Sequence, residues 1–262
     1  MGKVIAIANQ KGGVGKTATA VNLAASVAVA EHRVLLYDTD PQANSTSGLG
    51  IAAVPGESSY EVLLGTIPVE SAMKPTALSF LTLVPSHINL VGAEIELVGM
   101  PERERMLLRA LSPVRGDFEF IFIDCPPSLG LLTLNALTAA DSVIVPVQCE
   151  YYALEGLGQL LNTINGVKKE LNPKLEIEGV LLTMYDSRLR LSNQVVEEVR
   201  KYFGDRVFRT VVSRNVRISE SPSFGKPVLL YDAVSTGARS YMELAHELLS
   251  HDGILKGAST EH

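Results

Sequence analysis

Cysteine is nearly absent: the chain has two, Cys125 and Cys149, in or at the ends of apolar runs and without C-x-x-C spacing. That excludes a disulfide framework and points to a buried, reduced pair. Apolar runs never approach the roughly 20 residues that a membrane-crossing helix needs, and the N-terminus enters a strand without a signal-peptide pattern, so a cytoplasmic protein with no membrane partner is expected. Aromatic residues are only 6% of the chain and do not interleave with basic ones, so base stacking is not an expected mode of binding. Positive charge is also short: the net charge is −6, which taken alone argues against a nucleic-acid partner.

What is present is a chain of 262 residues, 46% hydrophobic, with no linker-like shift of composition. It suits a single α/β domain over residues 1–262. The charge is unevenly spread. Residues 1–185 carry 12 Lys and Arg against 19 Asp and Glu, residues 186–239 carry 10 against 6, and residues 240–262 carry 1 against 4. A local basic segment on an acidic protein suggests a defined face for a polyanion.

The most informative stretch is Asn9-Gln10-Lys11-Gly12-Gly13-Val14-Gly15-Lys16-Thr17, between the apolar run Val4 to Ala8 and the alanine-rich run Ala18 to Ala30. Strand, glycine turn and helix is the context of a phosphate-binding loop. Successive backbone N–H groups form a nest for anionic oxygens, and a helix starting near Lys16 adds its positive end. A Cβ at the glycines would hold phosphate away from the backbone. Lys11, Gly12, Gly13, Val14, Gly15, Lys16, Thr17 and Ala18 are therefore the expected nucleotide contacts. Lys16 is expected to reach the β- and γ-phosphates of ATP, and the Thr17 hydroxyl to bind Mg²⁺. The spacing departs from G-x-x-x-x-G-K-[ST]: Gln10 stands where the first glycine belongs, and Lys11 is an additional lysine.

Further strands are expected at Arg33–Asp38, Phe80–Pro85, Phe118–Asp124, Ser142–Val147, Ile177–Met184 and Val207–Phe208. Helices are expected at Ser59–Leu64, Ile88–Val98, from Pro101, at Leu154–Glu170, from Ser192 as N-cap to Gly204, and from Ser235. A small-residue turn is expected at Ala43 to Gly50, and a loop at Ser213 to Pro227. This alternation implies a mostly parallel, doubly wound sheet flanked by helices, the P-loop NTPase arrangement. Strand tips on such a sheet converge on the phosphate loop, which brings Asp38, Asp40 and Asp124 there. Asp38 and Asp124 are candidates for holding Mg²⁺, and Asp40 for orienting the attacking water; from spacing alone Asp38 and Asp40 are interchangeable. Met184, near a strand tip, is a candidate adenine contact.

With its second lysine the loop resembles the deviant Walker A motif of the ParA/MinD family of dimerising ATPases. The resemblance extends along nearly the whole chain. Asp38-Thr39-Asp40-Pro41-Gln42-Ala43-Asn44, Ile123-Asp124-Cys125-Pro126-Pro127-Ser128-Leu129-Gly130, Pro146 to Gly156 and Arg214 to Pro222 are similar to the chromosomal ParA (Soj) branch. Thr39 and Ala43 depart from common choices without removing a reacting group. Ala18, where many relatives have Thr, loses a hydroxyl that could touch the α-phosphate but keeps the backbone N–H, so binding is expected to survive. The resemblance implies that Lys11 reaches the nucleotide of a second subunit across an ATP-dependent homodimer, and that Asp40 serves hydrolysis. It implies non-specific binding of double-stranded DNA by the ATP-bound dimer, association with the nucleoid, and a ParB-type partner that stimulates hydrolysis and release. Arg188, Arg190, Arg200, Lys201, Arg214, Arg217 and Arg239 are the candidate phosphate contacts, with Arg188, Arg214 and Arg217 preferred as loop residues.

Lys3 already begins the first strand, so no additional N-terminal helix-turn-helix domain is expected. The alternatives are a ParA-like positioner of another cargo or a MinD-like membrane-associated ATPase. The second requires a basic amphipathic C-terminal helix, whereas this tail carries Glu243, Glu247 and Glu261 against Lys256. A dethiobiotin-synthetase-like ligase would need a small-molecule motif that is not evident, and an iron–sulfur dimer would need bridging cysteines.

Overall fold

The computed structural model of the chain describes residues 2–150 and 155–253. Runs such as Val4 to Ile7 and Phe120 to Ile123 are apolar on both faces, as strands covered on two sides must be. They form the centre of one eight-stranded sheet. In chain order its strands are β1 (Lys3–Ile7), β2 (Val34–Asp38), β3 (Lys74–Pro75), β4 (Leu81–Val84), β5 (Phe120–Asp124), β6 (Ser142–Gln148), β7 (Glu176–Tyr185) and β8 (Val207–Ser213). The spatial order is β3-β4-β2-β5-β1-β6-β7-β8, parallel throughout except for the two-residue edge strand β3.

The helices are α1 (Lys16–Val29), α2 (Asn44–Gly48), α3 (Ser59–Leu64), α4 (Val69–Ala72), α5 (Leu90–Glu96), α6 (Met106–Leu111), α7 (Leu131–Ala139), α8 (Glu155–Glu170), α9 (Arg190–Phe203), α10 (Val216–Glu220), α11 (Val228–Tyr231) and α12 (Thr236–His251). Side chains alternate across each strand, so Ile5, Ile7, Phe120 and Phe122 face α1 and α12, while Val4, Ala6, Ile121 and Ile123 face α3 to α9. The two cores together make the three-layer α/β fold that the alternation implied. No helix among the described residues is long and apolar enough to cross a membrane.

Several boundaries differ from expectation for identifiable reasons. The helix expected to start at Ser192 starts at Arg190, because the Ser192 hydroxyl is buried and donates to the Cys149 carbonyl (3.1 Å) rather than capping. Strand β8 runs five residues beyond Phe208, paired in parallel with β7. The turn at Ala43–Gly50 contains the short helix α2, entered through Ala43 in the left-handed region (φ 52°). Pro101 does not open a helix: α6 begins at Met106, after a single 3-10 turn at Arg103–Arg105. Arg217 lies on α10 rather than in a loop. The crossover helix α7 and the antiparallel β3 were not anticipated. Tyr151 to Leu154, and the tail with Lys256 and Glu261, lie outside the described residues.

Candidate active site

The loop after β1 returns through Gly13 and Gly15, both in the left-handed region (φ 74° and 89°). Gly15 is the N-cap of α1 and supplies no side-chain cap, so the first-turn N–H groups of the helix are left for a ligand. The loop is anchored from behind. Asn9 donates to the Pro146 carbonyl at the end of β6 (2.7 Å) and its side-chain oxygen accepts from the Lys11 N–H (3.0 Å). The Thr183 hydroxyl on β7 donates to the Val14 carbonyl (2.8 Å). At the lip, Gly12 and Gly13 are exposed, with nothing within 4 Å of where a Cβ would stand, and Lys11 is half-buried beside them.

Lys16 lies inside, 6% exposed, and its ammonium donates to the Lys11 carbonyl (2.9 Å). Burial lowers its pKa, and the nearby Asp124, Cys125 and Asp40 oppose that fall. Thr17 and Ala18, half-buried, follow on the first turn of α1. Ala18 and Gly15 line a cleft of about 130 Å³ together with Met184, Arg214, Ile218 and Tyr241. Met184 holds a left-handed backbone (φ 52°) at the tip of β7, a conformation that costs on the order of 1 kcal/mol or more and collects at functional sites.

Asp38 and Asp124 are register partners at the tips of β2 and β5, both fully buried. One Asp38 oxygen accepts from the Thr46 N–H (2.9 Å) and hydroxyl (2.7 Å), the other from the Asp40 N–H (3.0 Å). One Asp124 oxygen accepts from the Ser45 hydroxyl (2.7 Å). Desolvation raises both acids well above the usual carboxylate range, and the charge of Asp124 raises Asp38 further. The other Asp124 oxygen is buried with no hydrogen-bond partner. Beside Thr17 and Lys16, it is the hard oxygen donor that Mg²⁺ takes. Among the described residues no group of three or more His, Cys, Asp or Glu can hold a metal, so an ion here would draw its remaining ligands from nucleotide and water. Asp40 is 6% exposed, and one of its oxygens accepts from the Gln42 N–H (2.9 Å).

Sequence reading had missed Ser45 and Thr46, which orient the two acids. The available signal was the run Asn44-Ser45-Thr46-Ser47 just past an acidic strand tip, which resembles an ordinary polar turn. Cys125 and Cys149 are free and buried, and burial pushes both thiols up.

The candidate DNA contacts fall into two groups. Arg188 precedes α9, Arg190 opens it, Arg214 follows β8, Arg217 is on α10 and Arg239 is in the first turn of α12, all near the strand tips. Arg200 and Lys201 are in the last turn of α9. Arg200 lines a cleft with Val207, Phe208 and His251 at the opposite end of β8, about 20 Å from Arg214 by the length of that strand. Lys201 lies in the groove between α8 and α9.

A family model described as an AAA domain matches residues 2–177. The chromosome partitioning protein ParA of Myxococcus xanthus is 58% identical over 254 residues, 96% of this chain and 89% of that one. The sporulation initiation inhibitor protein Soj of Bacillus subtilis is 58% identical over 252 residues, 96% of this chain and all of that one. A crystal structure described as cobyrinic acid a,c-diamide synthase from Mycobacterium smegmatis, with bound ADP and magnesium, is 42% identical, with a TM-score of 0.85 over 97% of this chain and 96% of that one.

Proposed function

The chain belongs to the ParA/Soj family of chromosome-partitioning ATPases, which work with ATP and Mg²⁺, and from that premise we propose how its residues divide the work. Lys16 and the free N–H groups of α1 bind and neutralise the phosphates. Thr17, Asp38 and Asp124 hold the magnesium ion, which when bound withdraws charge from the phosphate oxygens. Asp40, two residues beyond the strand tip, orients the attacking water. Phosphoryl transfer needs positioning and charge neutralisation more than covalent help, and these groups supply both. Lys11 completes the site of a second copy when two ATP-bound chains meet.

The observation that carries this reading is the contrast within the loop. Lys16 is enclosed, whereas Lys11, Gly12 and Gly13 form an outward lip with open space around the glycines. A lip of that kind admits a second backbone at close range, and two-fold symmetry would let each chain present Lys11 to the other. The ATP-bound dimer then binds duplex DNA through the arginines near the strand tips. A ParB-type partner stimulates hydrolysis and releases it, and the protein works in the cytoplasm on the nucleoid.

The diamide synthase description of the Mycobacterium smegmatis structure points to a metabolic reaction. The relatives named for partitioning are more similar, at 58% against 42% identity, and they favour movement of DNA as the output. A salt titration of binding to arbitrary duplex DNA, with ATP and with ADP, tests the proposal. Tight, salt-sensitive binding with ATP alone is expected; equal affinity with both nucleotides, or none with either, defeats it.

A further inference from the structure

Gly50 and Gly225 meet back to back between the acidic site and the basic segment. Both are in the left-handed region (φ 72° and 62°). A Cβ on Gly225 would stand 2.5 Å from the Gly50 Cα, and one on Gly50 would stand 2.9 Å from the Gly225 carbonyl oxygen. Only hydrogens separate the two backbones, so no side chain absorbs a shift of either.

Each glycine is tied to a functional element. On one side, the Leu49 N–H donates to the Ser45 carbonyl (3.2 Å) and the Ile51 N–H to the Thr46 carbonyl (3.2 Å). Ser45 and Thr46 are the residues whose side chains hold Asp124 and Asp38. On the other side, the Gly225 N–H donates to the Pro222 carbonyl (3.0 Å) and the Lys226 N–H to the Ser221 carbonyl (3.3 Å). This closes the turn that follows Arg217. Just beyond it, the Val228 N–H donates to the side chain of Asn22 on α1 (2.7 Å).

We propose that Gly50 and Gly225 are positioning residues that couple the metal-holding acids to the basic segment, so that filling the magnesium site resets the 221–226 turn and the segment's hold on DNA bears back on the acids. This deepens the proposed function and rests on it for its DNA consequence alone. Coupling of this kind is reciprocal. The cleft lined by Arg214 and Met184 could pass a signal from the base of the nucleotide, but that path does not need the metal. The dependence on Mg²⁺ separates the two.

The experiment is hydrogen exchange of the full chain with Mg·ATP, with ATP and EDTA, and with Mg·ADP, beside duplex-DNA titrations. Mg·ATP should slow exchange at residues 221–226 by about tenfold relative to ATP with EDTA. In Gly225→Ala the phosphate loop should still be protected by Mg·ATP, the 221–226 turn should not, and the preference of DNA binding for ATP over ADP should fall about tenfold. Gly65→Ala is the control: Gly65 has φ 74° and nothing within 4 Å of its Cβ position, so it carries the backbone strain without the contact. It should behave as wild type. The proposal is overturned by exchange at 221–226 that ignores Mg²⁺, or by a Gly225→Ala protein with wild-type nucleotide preference. If that variant does not fold, the wild-type exchange and Gly50→Ala decide. Failure of the wild type to bind DNA in an ATP-dependent way sinks the proposed function and leaves the exchange arm standing.

Discussion

The strand-tip site and the basic segment beside it hold their charges on opposite terms. Lys16, Asp38 and Asp124 are almost wholly buried, and their positions are fixed by Lys11, Ser45 and Thr46. Arg188, Arg214 and Arg217 are exposed, and each rests on an acid: Arg188 on Asp186 (2.7 Å), Arg214 on Glu150 (3.2 Å), and Arg217 on Glu220 (2.9 Å) and Asp232 (3.1 Å). Exposed pairs contribute roughly 0–1 kcal/mol, so a phosphate can replace the acid at little cost. A buried carboxylate that loses its partner is left short by about 1–3 kcal/mol. The first region therefore suits a fixed reaction geometry, and the second suits contacts made and released repeatedly.

The strongest test of that division is Lys16→Ala. It removes the enclosed ammonium, and ATP affinity measured by calorimetry should fall by about 100-fold or more, with the folded circular dichroism spectrum kept. Near-normal affinity would show that the phosphates are held elsewhere. Next is Asp40→Ala, which should leave ATP binding intact, cut turnover by about 100-fold and trap an ATP-loaded dimer in sedimentation. Rapid phosphate release from that variant would refute the water-orienting role. Thr46→Val is smaller. It takes a donor from Asp38, and about tenfold more Mg²⁺ should be needed for half-maximal ATP hydrolysis; an unchanged requirement would make the Thr46 contact incidental.

The buried acids also predict a pH response of opposite sign with and without metal. Asp38 and Asp124 have raised pKa values in the folded chain, whereas an aspartate in the unfolded chain ionises near pH 4. Between those limits the folded state binds more protons, so metal-free stability should fall as pH rises, by about 1.4 kcal/mol per pH unit for each extra proton held. In the proposed site the ionised acids are ligands of Mg·ATP, so affinity should rise with pH. Melting curves from pH 5 to 9 check both, and Asp38→Asn should flatten the metal-free slope. A flat wild-type profile would mean that the acids ionise normally.

The two regions were also unequally legible in the sequence. Lys16, Asp38 and Asp124 announce themselves because glycine spacing and apolar strands ending in acids follow local rules. The central sheet was legible for the same reason. Ser45 and Thr46 were not: the Ser45 hydroxyl finds Asp124 only when the fold brings β5 beside β2, and Thr46 reaches Asp38 only through the fold of the turn between them. Gly50 and Gly225 are further still from view, as nothing local marks two turns that touch. In the basic segment, composition located the charge but not its geometry. Arg200 counted with the rest, yet the length of α9 carries it to the other end of β8, and Lys201 lies in the groove between α8 and α9.

That last point gives the finest test. Removing one phosphate-contacting arginine should weaken DNA binding several-fold at moderate salt and reduce the salt slope by about one. Arg214→Ala and Arg217→Ala should do so, and Arg200→Ala with Lys201→Ala should not. If all four weaken binding alike, DNA covers both ends of β8 and the two-group division is wrong. The partner acid sharpens the sign. Glu150 accepts from Arg214 in the absence of DNA, so Glu150→Gln releases the arginine and removes a negative charge from the same face. It should tighten binding. Unchanged affinity in Glu150→Gln would mean that Glu150 does not compete with phosphate for Arg214.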